Sequence, residues 1–185
     1  FIDEFTIDTV AYFGGGLLTV IVIILLLIQK AIYLPVNNSK TPSLLKSLKQ
    51  QRFSHPLVVL IVTMCFSWSA HAILYTYVSV YLQQLGWSGK MISVSWIIGV
   101  VAEIVVFIIF DYIHKYVRLL TIVKASVVLA IIRWLILANF ESVGMILFAQ
   151  MLHGFTYGSF FLATLKLGNL YVAEEYKIEA QGLIS

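Results

Sequence analysis

Five apolar stretches, at roughly 9–34, 57–83, 91–111, 118–138 and 143–166, are each long enough to cross a bilayer. A spanning helix needs about 20 mostly apolar residues, and in lipid every backbone N–H and C=O has to find its partner inside the protein. Segments of this length satisfy that demand as helices, because each closes its own hydrogen bonds. The chain therefore reads as an all-α membrane protein, a polytopic helical bundle with five transmembrane helices. Only 11% of its residues are charged, against roughly 25% in a soluble domain. A net charge of +3 gives no reason to expect a nucleic-acid partner, and the lone Cys65 excludes an internal disulfide.

Loop charges set the expected orientation, because cytoplasmic loops collect Lys and Arg. Lys40, Lys46, Lys49 and Arg52 follow the first helix, and Lys115 and Arg118 follow the third. The loop after the second helix carries only Lys90 and the loop after the fourth only Glu141, while Asp3, Glu4 and Asp8 precede the first helix. The first and third loops are thus expected in the cytoplasm and residues 1–8 outside. The chain opens on Phe1 rather than Met, and its last residues look like the start of another apolar segment. It reads as an internal piece of a longer protein. Gly14-Gly15-Gly16 suits close helix packing rather than phosphate binding, since no strand precedes it.

Three ionisable residues interrupt the last three stretches: Glu103, Arg133 and His153. A charged side chain near the bilayer centre costs at least about 2.5–3.5 kcal/mol, so such groups face one another or a water-filled path. Trp96, Gly99 and Glu103 share one helical face, which suits a cavity wall. Glu103 can carry a proton there, unless a neighbouring cation locks it in a salt bridge. Arg133 can pair with Glu103, grip an anionic or hydroxylated substrate, or snorkel outward. Gln150, His153, Tyr157 and Phe160 make a polar stripe with Thr156 and Thr164 nearby, where a histidine can exchange protons or bond a solute. In the second helix Ser67, His71, Tyr75 and Val78 form a half-polar stripe, either cavity lining or interface decoration.

Two histidines and a glutamate invite a metal reading, but they lie on separate helices and no His-Glu-x-x-His motif or Cys/His cluster is present. No metal or other cofactor is expected. No serine triad or nucleophile elbow appears, so the chain is not expected to be an enzyme. Asp111, followed by Lys115 and Arg118, reads either as a charged latch at the cytoplasmic side or as a plain positive-inside anchor.

The run Trp96-x-x-Gly99-Val100-Val101-Ala102-Glu103, then Arg133-Trp134, then Leu152-His153-Gly154-Phe155-Thr156-Tyr157-Gly158, resembles the major facilitator superfamily. Within it the chain is most similar to the phenylpropionate permease-like group, related to lactose permease and nucleoside:proton symporters. Ser69-Ala70-His71-Ala72 with Tyr75 resembles that group's seventh helix. The resemblance implies five helices of a 12-helix fold. Residues 1–35 would be the last helix of the N-terminal half, 36–56 the central cytoplasmic loop, and 57–185 the C-terminal half with the start of a further helix.

It also implies a secondary transporter in a cell membrane, a bacterial inner membrane, working as a monomer by alternating access. The transported pair would be protons and a small organic solute: an aromatic acid, a sugar or a nucleoside. Glu103, His153 and Arg133 would serve proton coupling. His71, Tyr75, Trp96, Arg133, Gln150, His153 and Tyr157 would meet the substrate, and Asp111, Lys115 and Arg118 would gate. Lactose permease has a glutamate one turn after its histidine, where Thr156 stands here. The rival reading is a non-transporting membrane receptor or scaffold.

Overall fold

The computed structural model describes residues 55–170 together with the single positions Gly16, Thr19 and Ile23. The expected helix over 9–34 (those three positions apart), the loop over 36–54 and the residues after 170 lie outside the described part. Among the described residues there is no strand. Helix α1 is His55–Gln84, α2 Gly89–Tyr116 and α3 Leu119–Asn139. The last span is built from α4, Val143–His153, a π-helical turn, Gly154–Ser159, and α5, Phe160–Leu170. Among the described residues, four helices are therefore long and apolar enough to cross a membrane. They match the second to fifth apolar stretches, with α2 extended at both ends.

Local chemistry sets the helix ends. Gly86, at φ 79°, lets the chain leave α1 in the left-handed region. The Trp87 N–H then reaches Leu82 O at 3.0 Å and the Gly86 N–H reaches Gln83 O at 2.9 Å. This paired closure satisfies two carbonyls that the helix end would orphan. Ser88 caps α2 by accepting from the Met91 N–H at 3.4 Å.

The Val143–Leu170 span is the hub: α2 packs along α4 and the π turn, and α3 runs along α4, the π turn and α5. Helix α1 touches α2 and α5 more lightly. The tightest approach is at Gly154, where a built Cβ would stand 2.8 Å from the Glu103 backbone N and closer still to the carbonyl group of Ala102. One turn on, a Cβ at Gly158 would meet the Phe107 ring at 3.1 Å and Glu103 Cγ at 3.4 Å. The pair Gly154-x-x-x-Gly158 thus seats the π turn against α2, the small-residue route to close helix approach in membranes. On the other side the Ser126 and Ser159 hydroxyls meet at 2.8 Å, tying α3 to the same turn. Ser159 also bonds back to Phe155 O.

Candidate functional site

The π turn begins immediately after His153, and π turns inside α-helices are frequent at functional sites. His153 is 5% exposed and sits where α1, α2 and α3 all reach the last span. Its Nδ1 lies 3.0 Å from Arg133 Nη1 and its Nε2 2.9 Å from the Tyr75 hydroxyl. A guanidinium only donates, so Nδ1 accepts and the ring hydrogen sits on Nε2. Nε2–H then donates to the Tyr75 oxygen, leaving the phenolic hydrogen free to be given elsewhere. Glu103 Oε2 stands 3.9 Å from the same Nε2, too far for a hydrogen bond and close enough for charge attraction.

Arg133 does not snorkel. It is 3% exposed and turned into the bundle, where Nη2 donates to Gln150 Oε1 at 2.9 Å. Both of its protein partners are neutral. Among the described residues no carboxylate lies within ion-pair distance of it, so of the alternatives left open by the sequence the direct pairing with Glu103 does not form. Arg133 Nε and Gln150 Nε2 are buried donors without a partner. A guanidinium carries five N–H donors in one fixed plane, and here its Nε–H is unused.

Aromatic rings close the site. Tyr157 stacks on His153 with centroids 5.3 Å apart, and Trp68 meets Tyr157 edge-on at 5.4 Å. Trp96 lies 5.7 Å from Tyr75 and donates its indole N–H to Ser79 Oγ at 2.9 Å. His71, 5% exposed, gives its Nδ1–H to Ser67 O at 2.8 Å and brings its ring to 5.6 Å from His153. Ser67, Trp68, His71, Tyr157, Phe160 and Phe161 line a small concavity of about 10 Å³. Gly99 of α2 faces this cluster, where a Cβ would stand in ordinary contact, 3.7 Å from both His153 Cδ2 and Gln150 O. The structure thus gathers Glu103, Arg133, His153, His71, Tyr75, Trp96, Gln150 and Tyr157 into one region. Thr156 is 1% exposed and its hydroxyl is spent on His153 O at 3.2 Å, so it offers the site no acid. Among the described residues no three His, Cys, Asp or Glu side chains gather as metal ligands would.

Asp111, Lys115 and Arg118, the residues expected to gate, lie at the α2–α3 junction. Asp111 bonds Lys166 Nζ of α5 at 2.6 Å, while Lys115 is exposed on its own helix end and Arg118 stands at the N-terminal cap of α3. Lys166 also lies 5.5 Å over the Phe110 ring. This ion pair joins α2 to α5, and Lys166 is a residue that charge patterning near Asp111 did not single out. The two side chains are 78% and 40% exposed, so solvent screens the pair. Asp111→Asn is expected to leave the thermal unfolding midpoint of the detergent-solubilised protein within error of wild type. A clear drop in scanning fluorimetry would show that the ion pair holds the helix ends together.

Over 102 residues the chain is 26% identical to a protein of Escherichia coli (strain K12) named "Probable 3-phenylpropionic acid transporter". The matched stretch is 55% of this chain and 27% of that relative's length, so the chain spans only a part of the relative it matches. No solved structure matches the chain. The MFS_1 like family matches residues 1–185 from end to end. With that match over membrane-length helices, the chain is a multi-pass membrane protein that belongs to the MFS_1 like family.

Proposed function

We propose that the chain is part of a secondary transporter that carries a small organic acid together with protons by alternating access, in the bacterial inner membrane. The observation that carries this reading is Arg133: a buried guanidinium whose described partners are neutral, with its own Nε and the neighbouring Gln150 Nε2 left unpaired. An unpaired buried donor costs about 1–3 kcal/mol, and a carboxylate arriving here recovers that cost by accepting from the unused N–H groups. The rings of Tyr75, Trp96, Tyr157 and Trp68 around it favour an aromatic acid over a sugar, whose many hydroxyls need more polar partners than these residues supply. The relative's printed name, a 3-phenylpropionic acid transporter, points the same way.

Glu103 and His153 supply groups that can take part in proton movement, 3.9 Å apart. In cells expressing the full-length protein, labelled 3-phenylpropionate is expected to accumulate and to leak out when a protonophore is added. Glu103→Gln should abolish concentrative uptake and spare exchange of labelled for unlabelled acid. Normal accumulation by that variant would remove Glu103 from the coupling machinery. Tight binding of the acid with no uptake would be the behaviour of a receptor instead.

A further inference from the structure

His153 turns one ring nitrogen towards each charged member of the cluster. Nδ1 is held by Arg133 at 3.0 Å, and Nε2 faces the Tyr75 hydroxyl at 2.9 Å and Glu103 at 3.9 Å. Because a guanidinium never accepts, the Nδ1 lone pair is occupied for as long as the Arg133 bond stands. Nδ1 cannot be bonded to Arg133 and carry a hydrogen at the same time. We infer that Nδ1 of His153 is the seat of the transported proton, and that Arg133 covers it until a substrate carboxylate draws the guanidinium away. The inference rests on the carboxylate reading of the site given above and adds to it the order of events.

The surroundings of His153 bear this out from each element that packs on it. Helix α1 presents His71 and Tyr75, α2 presents Glu103, α3 presents Arg133, and its own span presents Gln150 and Tyr157. Glu103 is the one acid among them, and it lies on the Nε2 side. An imidazolium formed at Nδ1 would therefore keep Nε2–H towards a carboxylate and offer its new N–H to the substrate's carboxylate beside Arg133. The unloaded site balances Arg133 against Glu103 with a neutral ring. A carboxylate adds one negative charge and a proton on Nδ1 adds one positive charge, so the loaded site has the same sum. Loading either one alone strands a charge where water cannot solvate it, which is what makes the two load together. In the step itself the Nδ1 lone pair takes a proton supplied by the medium as hydronium, which leaves as neutral water; Nε2 keeps its hydrogen, and no bond between heavy atoms changes. Glu103 is then the counter-ion of the proton seat, which refines the expectation that it carries the proton itself.

The test is nitrogen NMR of the full-length protein labelled at histidine with ¹⁵N, with the His153 signals assigned by their loss in His153→Gln. In wild type without ligand, His153 should show a bare Nδ1 and a protonated Nε2. Saturation with 3-phenylpropionate, with binding confirmed separately by equilibrium dialysis, should convert it to a ring protonated on both nitrogens. Arg133→Gln without ligand should show the doubly protonated ring at mildly acidic pH, where wild type does not. A bare Nδ1 that persists in wild type with the acid bound overturns the inference, even if Arg133→Gln fails to fold. So does an unchanged ring in a folded Arg133→Gln. If dialysis finds no binding of the acid while Arg133→Gln still gains the second proton, the carboxylate reading falls and the covering role of Arg133 stands.

Discussion

Replacing Arg133 by glutamine is expected to lower uptake of 3-phenylpropionate by about 100-fold or more. The guanidinium is a fixed positive charge within the described bundle, buried at 3% exposure with no carboxylate in direct contact among the described residues. Hydrogen bonds to a charged group contribute about 1.5–3 kcal/mol each. Losing two of them to a bound carboxylate therefore removes roughly 3 kcal/mol, and about 1.4 kcal/mol is tenfold in affinity. Glutamine is the informative choice because it removes the charge while its amide can still donate to Gln150 Oε1, which limits the damage to the fold. Arg133→Lys should retain the charge and lose the planar fork, leaving a deficit of roughly tenfold. Initial rates of labelled uptake, corrected for protein in the membrane, decide the matter. Equal rates in wild type and Arg133→Gln would leave the arginine as a structural group only.

The second large effect is structural and concerns one methyl group. Gly154→Ala places a Cβ against the α2 backbone, 2.8 Å from the Glu103 N and nearer to the Ala102 carbonyl group. Backbone in a regular helix cannot step aside as a side chain can, so α2 and the last span must part. The expected cost is about 3 kcal/mol, the upper end of ordinary overpacking. Function should suffer beyond stability, because parting these helices moves Glu103 away from His153. Gly158→Ala is the control. Its Cβ meets the edge of the Phe107 ring at 3.1 Å, and a ring can tilt by a few tenths of an ångström. A cost nearer to 1 kcal/mol is expected there. Thermal or denaturant midpoints of the two variants in detergent should separate clearly, and similar midpoints would contradict the close backbone approach at Gly154.

Much of the described architecture was readable because membrane burial acts on length and hydropathy, which are local properties. The stretches at 57–83, 91–111, 118–138 and 143–166 each became a helical span, the second of them running on to Tyr116 and the last interrupted by the π turn. The gathering of Glu103, Arg133 and His153 was also legible, since an ionisable group inside lipid has few places to face. Their pairing was not. Whether Arg133 turns to Glu103 or to Gln150 and His153 depends on helix rotation and depth, which the packing of three helices sets together. The π turn escaped for the same reason: it is stabilised by contact with Ala102, Phe107 and Ser126 on neighbouring helices. Its trace in the sequence was Gly154-x-x-x-Gly158, a close-packing signal inside the polar stripe. Lys166, 55 residues from Asp111, carried no pattern that would join the two.

Binding of paired ligands tests most directly the proposed recognition of a carboxylate by Arg133. Dissociation constants of the purified full-length protein should be measured for 3-phenylpropionate and for the matching uncharged alcohol. Wild type is expected to prefer the acid by roughly 100-fold, about 3 kcal/mol, and Arg133→Gln to lose that preference. Equal affinity for acid and alcohol in wild type, or a preference that survives in Arg133→Gln, would contradict it.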